Sequence, residues 1–292
     1  MEFTVNLMEA EADVAQWSRR RESQGWHQLS VADHFFTQRP FPHVWVTAAT
    51  MAAATTTVAI TTAFVNNLFR SPVEVAQAAL MLQHTSGGRF ELGLGAGWAR
   101  DEAVKSGLAY PEPRDRAGAF AESAEIIASL LGTGACTLSG DYYTVDVDTL
   151  GPLSDTTVPL VCAVGGPRTI REVTPHADRV ELKAASPATR GGALDMAALA
   201  AIDDQHIIDL IARVRSVDPA IGIGMFVLCN VGDDERTRQI AAMMGDAGYG
   251  RFFGDVAKVA DGIAWLESIG VSRAQLSPFD DTSLDRLAPA LL

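Results

Sequence analysis

The stretch from Arg70 to Gly107 leaves a chain few folding options, because it spells a helix, its stop, a strand and a glycine-rich exit in that order. Ser71 is placed to cap a helix that begins at Pro72, with Glu74 as its reciprocal partner. The proline's missing N–H then falls where no intrahelical bond is needed. Val75, Ala76, Ala79, Leu80 and Leu82 recur at helical spacing, and Ser86-Gly87-Gly88 tolerates the left-handed backbone of a helix end. The spacing therefore predicts a helix from Pro72 to about Thr85. Arg89 to Gly95 is short, apolar and bounded by glycine, the pattern of a parallel strand covered on both faces. Gly95-Ala96-Gly97 then removes bulk at the strand's exit, where a flat ligand or another backbone can approach.

The same rhythm runs through the chain. Strands are expected at Phe3–Leu7, His27–Ala32, Thr55–Ala63, Pro159–Val164, Arg179–Leu182, Ile221–Cys229 and Ala274–Leu276, besides the one ending at Gly95. Helices are expected at Glu11–Gln24 (closed by Gly25), Val44–Ala54, Arg116–Leu131, Pro167–Thr174, Ile207–Val217, Glu235–Met244 and Val256–Ser268. Phe120, Ala124, Ile127 and Leu131 share one face of the long helix. Thr137–Val145 around Gly140-Asp141 reads as a surface hairpin, and residues 183–201 as a long excursion. Eight strands alternating with helices over 292 residues give an α/β chain, a (β/α)8 TIM barrel with insertions, as a single domain over residues 1–292. A doubly wound open sheet is the rival. It would favour a G-x-G-x-x-G turn after the first strand, and Leu7 to Glu11 has no glycine.

Composition narrows the function classes. With 48% apolar and 20% charged residues a large core can form, and a net charge of −13 argues against general affinity for nucleic acid. Cys136, Cys162 and Cys229 form no C-x-x-C pair and read as buried small hydrophobes. Residues 1–24 lack a signal-peptide pattern and the apolar runs are too short to span a bilayer, so the expectation is a cytoplasmic protein without membrane association.

In a barrel of this kind ligands meet the residues just past the C-terminal strand ends. That nominates Asp33-His34, Ala63 to Asn67, Trp98 to Glu102, Gly165 to Thr169 and Glu181 to Lys183. His34 is the one histidine at such a position and can orient a ring or relay a proton; its structural alternative is a loop histidine bonded to Asp33. Trp98 offers an apolar wall, and Asp101 and Glu102 offer carboxylates, although Glu102 can equally pair with Arg100 or cap the next segment. Gly165-Gly166-Pro167-Arg168-Thr169 can present backbone N–H groups, a guanidinium and a hydroxyl to a phosphate, or form a plain strand-to-helix turn. Asn66 and Asn67 suit a ring edge or a turn, and Arg89, at the opposite end of its strand, reads as architectural. The remaining histidines form no H-x-H or H-E-x-x-H pattern, so no metal site is expected.

The run SGGRFELGLGAGW from Ser86 to Trp98, followed by Glu102, resembles the luciferase-like monooxygenase superfamily, and within it the branch that uses the 5-deazaflavin coenzyme F420. The resemblance extends from about residue 25 to residue 182, with a thinner trace beyond. It implies a bacterial luciferase-like barrel that moves a hydride between F420 and a small organic substrate. It carries Asp33-His34 into the cofactor pocket and GGPRTIREV with Ala177-Asp178 to the phosphate side. It also puts Thr62-Ala63 where related enzymes have a bulge with a non-prolyl cis peptide beneath the ring. The site expected on these grounds has His34 and Glu102 as catalytic residues. Asp33, His34, Thr62, Ala63, Gly97, Trp98, Gly165, Gly166, Arg168 and Thr169 are its cofactor contacts. One departure stands out: some deazaflavin sugar-phosphate dehydrogenases carry a catalytic glutamate where this chain has Trp98. An FMN-dependent monooxygenase and a non-catalytic flavin-binding barrel are the alternatives. A homodimer is expected through the small, apolar faces of Thr47–Ala54 and Val75–Leu82.

Overall fold

The computed structural model describes residues 1–9, 13–36, 39–189 and 192–292. Eight parallel strands close on themselves: β1 (Glu2–Leu7), β2 (Gln28–Val31), β3 (Ala59–Thr62), β4 (Phe90–Gly95), β5 (Leu160–Val164), β6 (Arg179–Leu182), β7 (Gly222–Val231) and β8 (Arg273–Pro278). Each pairs with its sequence neighbour, and the Glu2↔Arg273 register between β1 and β8 completes the ring. The (β/α)8 expectation holds, and the doubly wound rival, which leaves two open edges, does not.

The outer layer is α1 (Val14–Gln24), α2 (Val44–Ala54), α3 (Pro72–Thr85), α4 (Arg100–Lys105), α5 (Pro113–Thr133), α6 (Pro167–Val173), α7 (Ser186–Thr189), α8 (Met196–Ala200), α9 (Asp204–Val217), α10 (Glu235–Met244), α11 (Val256–Ser268) and α12 (Thr282–Leu291). Helix α3 starts and stops where its local signals put it: the Ser71 side chain accepts the Glu74 N–H, Pro72 opens the helix, and Gly87 and Gly88 follow with positive φ. Asp13 caps α1 from Val14; the expected start at Glu11-Ala12 lies outside the described residues. The hairpin pairs Cys136–Ser139 with Thr144–Val147 as a separate two-stranded sheet. Four helices escape the sequence pattern. Short α7 and α8 lie in the 183–201 excursion, α4 is short and its N-cap Ala99 makes no side-chain bond, and α12 carries Pro289 in its last turn, where proline ordinarily argues against helix.

Apolar side chains such as Val5, Leu29, Ile60, Leu92, Val164, Val180, Met225 and Leu276 are fully buried. The N-terminal end of the barrel interior is different: it is a polar floor. Arg273 donates to Glu91 at 2.7 Å, to Gln28 at 3.1 Å and to Glu181 at 3.4 Å, while Thr4 donates to Gln28 at 2.6 Å. Arg89, at the same end of β4, donates to the carbonyls of Ala52, Thr55, Val58 and Ser86, which makes it the architectural residue expected. The three cysteines are buried and unbridged. No described helix is long and apolar enough to cross a membrane.

Candidate active site

At the C-terminal mouth, the loop after β2 and the start of α4 bring together two residues 68 positions apart. His34 Nδ1 lies 2.7 Å from Glu102 Oε2, and Glu102 also accepts the backbone N–H groups of Phe35 and Phe36. Facing a carboxylate, Nδ1 is the donor of this contact, and Nε2 is the ring nitrogen left without a protein partner among the described residues. Glu102 is buried and His34 keeps 14% of its side-chain surface, so the ring tip alone is reachable. The His34 ring meets Trp98 edge-on at 5.6 Å and Phe41 at 5.0 Å. Tyr110 donates to the Trp98 carbonyl at 2.9 Å, and Phe35 stacks on Phe69 at 4.2 Å.

The loop reading of His34 paired it with Asp33, and that pairing does not occur. Asp33 is buried; its carboxylate accepts the Asn66 N–H at 2.9 Å and is bridged by Arg70. Burial pushes the Asp33 pKa up against the pull of Arg70. Asp33 thus ties two loops of the mouth together, and its carboxylate is spent on the protein. Likewise Glu102 joins His34 rather than Arg100, because α4 turns its buried face toward β2. Asp101 is exposed and pairs with Lys105.

The β3 end departs from expectation by one residue. Ala63 still donates to the Val31 carbonyl at 2.8 Å as the last rung of the ladder, and the cis peptide lies between Ala63 and Phe64. The Thr62 hydroxyl exchanges hydrogen bonds with the Gly93 backbone at 2.8 and 3.0 Å and so faces the neighbouring strand. Gly97 has φ +79°, and a Cβ there would stand 2.4 Å from Asn66 Oδ1; its lack of a side chain serves packing against the β3 loop. Asn66 closes its turn by accepting the Leu68 N–H, whereas the Asn67 side chain donates to the Tyr143 hydroxyl of the hairpin at 3.3 Å.

At the β5 end, the Thr169 hydroxyl faces the N–H groups of Gly165 and Gly166 at 3.5 and 3.2 Å and caps its own helix. A Cβ on Gly165 would lie 2.3 Å from Ser186 Oγ, whereas one on Gly166 would meet nothing closer than 3.7 Å. Arg168 is the expected contact the fold takes away: Glu172 holds it at 2.6 Å and the Arg114 carbonyl at 2.7 Å. It lines a separate cleft of about 270 Å³ with Glu122, Tyr142 and His176.

Past the end of β6 stands Lys183, nominated by its strand position but assigned no role from sequence. Its Nζ sits 3.3 Å from the centroid of the Phe226 ring and 5.5 Å from that of Phe64. Burial pushes its pKa down to about 7, with Glu181 pulling the other way. Two signals could have found it: the strand-end position, and its being one of only three lysines in the chain. No cluster of His, Cys, Asp and Glu that could hold a metal occurs among the described residues.

Comparison with known proteins follows the same lines. The profile of a family described as luciferase-like monooxygenase matches residues 4–275. An F420-dependent glucose-6-phosphate dehydrogenase of Amycolatopsis mediterranei (strain U-32) is 32% identical over 162 residues, 53% of this chain and 48% of its own. The protein of that name from Kineococcus radiotolerans is 30% identical over 165 residues, 54% of this chain and 48% of its own. The chain thus spans about half the length of the curated relatives it matches. Among solved structures, an F420-dependent secondary alcohol dehydrogenase in complex with an F420-acetone adduct superimposes with TM-score 0.77 at 19% identity, covering 99% of this chain and 98% of its own. Monooxygenase RslO1 from Streptomyces bottropensis gives 0.76 at 17%, covering 100% and 98%. These structural likenesses speak for the fold.

Proposed function

Since the chain belongs to the luciferase-like monooxygenase family, we propose that it is an oxidoreductase that uses coenzyme F420 to move a hydride to or from a small organic substrate. The observation that carries this reading is the His34–Glu102 pair at the barrel mouth, with Nε2 left available beside Trp98. The matching relatives named for F420 favour the deazaflavin over FMN.

The residues present fit such a cofactor at the ring end. His34 Nε2 has no hydrogen-bond partner among the described residues, and the Trp98 ring stands next to it as a wall. At the phosphate end the fit rests on backbone: Gly166 is open, and the Thr169 hydroxyl that now faces both glycine N–H groups can rotate to share a phosphate oxygen. Arg168 and the Asp33 carboxylate are left out of the contact set, because both are held by protein partners. When bound, a deazaflavin supplies two-electron hydride chemistry.

This chain's own residues do the rest. Glu102 orients the imidazole and keeps the Nδ1 proton in place, and Nε2 then takes the proton of a substrate hydroxyl or, in the reverse direction, returns it. Asp33, Arg70 and Asn66 hold the loops that carry His34 and Phe64. Without a glutamate at the Trp98 position, the proton of the site is carried by His34, which Glu102 orients. A homodimer belongs to the same proposal, but the small apolar residues expected to carry it, among them Ala48, Met51, Val75, Ala76 and Ala79, pack within the protomer, and the support left is the exposed Val46 and Met81 of α2 and α3. Residence in the cytoplasm is part of it too.

The test is fluorescence titration of the purified protein with F420 and with FMN, followed by turnover assays with alcohols. Tight F420 binding, weak FMN binding and alcohol-dependent F420 reduction are expected. Preference for FMN with dioxygen consumption would move the protein to the monooxygenase side of the family. Binding with no turnover of any alcohol or carbonyl compound would make it a non-catalytic barrel.

A further inference from the structure

The chain has three lysines, and two of them are ion-paired: Lys105 with Asp101 and Lys258 with Asp246. Lys183 makes no ion pair or hydrogen bond through Nζ with any described residue, although the chain carries 36 acidic side chains. Its place is not an accident of a loose loop. The Lys183 N–H bonds the Val164 carbonyl at 2.8 Å, and its own carbonyl accepts from the Ser186 N–H at 2.9 Å and hydroxyl at 2.6 Å. Glu181 is the nearest acid along the strand, but it points to the floor, where Arg273 holds it.

Two aromatic faces satisfy a cation only in part. They contribute about 0.5–2 kcal/mol, which leaves the partly exposed Lys183 ammonium without a full partner. The low pKa follows from that shortfall. Lys183 follows β6 at the same end of the barrel as His34 and Trp98, and no acceptor among the described residues meets its Nζ. Arg70 and Arg168 are held by Asp33 and Glu172, and the Lys183 ammonium is bordered by the Phe64 and Phe226 rings. One point charge flanked by apolar faces matches a monoanion with a hydrocarbon body better than a phosphate dianion, which calls for several donors.

We propose that Lys183 is the substrate-recognition residue of this site and that the molecule it selects is a small aromatic or apolar carboxylate. The carboxylate meets Nζ, and the rings of Phe64 and Phe226 cover the carbon skeleton. The assignment rests on the oxidoreductase reading only in calling this ligand a substrate; the anion subsite itself stands on Lys183.

The experiment is calorimetric titration of the protein with benzoate and with its neutral counterpart benzamide, with and without saturating F420. It is run on wild type, Lys183→Met and Lys183→Arg, with circular dichroism to confirm folding and F420 affinity measured on each. Wild type should prefer benzoate by about tenfold or more, Lys183→Met should lose that preference, and Lys183→Arg should keep part of it, all with unchanged F420 affinity. Equal binding of the two probes, no binding of either, or an unaltered preference in Lys183→Met overturns the proposal. So does a fall in F420 affinity in Lys183→Met, which would assign the ammonium to the cofactor. A benzoate preference in a protein that binds no F420 would leave the anion subsite standing and remove the cofactor reading.

Discussion

The two ends of the barrel interior hold their charges in opposite ways. At the floor, Arg273, Glu91, Glu181 and Gln28 come from four strands and bond one another, with side chains at most 15% exposed among the three charged ones and only Glu181 Oε1 and Arg273 Nε left unpartnered among them. At the mouth, His34 is bonded through one nitrogen, and Lys183 meets rings instead of carboxylates. β6 serves both ends: Glu181 lies within it, and Lys183 stands one residue past its end. The difference teaches where the fold is finished by the chain itself and where it waits for a partner. A cluster whose members bond one another across strands holds the barrel together, whereas a charge that meets only rings is open to a ligand.

The strongest way to break this contrast is at the floor. Arg273→Met leaves the Glu91 and Glu181 carboxylates facing each other without a cation, and the expected loss is about 3–5 kcal/mol in urea unfolding. A loss within experimental error would mean that the floor is not holding the barrel. Next in size is the mouth. His34→Ala should lower turnover at saturating cofactor by about 10²-fold or more with only a small change in Tm, and Glu102→Gln should lower it less because the ring keeps its place. Wild-type turnover in His34→Ala would strip the pair of its catalytic role, while a joint fall in Tm and cofactor affinity at an unchanged rate would make it a loop support.

The smallest effect sharpens the comparison through pH. Burial raises the Glu181 pKa from 4.5 to about 7, so its contribution to stability is fully present below the unfolded value and is lost as pH rises through about 7. Burial lowers the Lys183 pKa from 10.5 to about 7, so its contribution is present above 10.5 and is lost as pH falls through about 7. Unfolding free energies from pH 4 to 11 should therefore slope downward on the acid side and upward on the alkaline side. Glu181→Gln should flatten the first limb and Lys183→Met the second; slopes that survive both substitutions would show that other groups set them.

Much of the barrel was legible because its signals are local. The Ser71 cap and Pro72 place the start of α3, Gly87-Gly88 its end, and the glycine-bounded apolar runs give β4, β5 and β6 nearly to the residue. Helix α4 was not legible, since six residues without a capping side chain carry too little pattern. The site was legible as a set of strand ends and not as a set of bonds. His34, Glu102 and Trp98 were named and do come together. Arg168, Asp33 and Thr62 were named for the same reason, yet Glu172, Arg70 and Gly93 take them.

Periodicity, caps and glycine positions depend on neighbours a few residues apart, so the chain alone specified eight strands, their helices and the end of the barrel where chemistry gathers. Which acid meets which base is settled by barrel closure, which sets Glu102 beside His34 across 68 positions and Arg273 beside Glu181 across 92. Only the closed ring also decides what is left over. Desolvation and partner choice act over a few ångströms in space, and those distances gave Glu181 an arginine and left Lys183 between two phenyl rings.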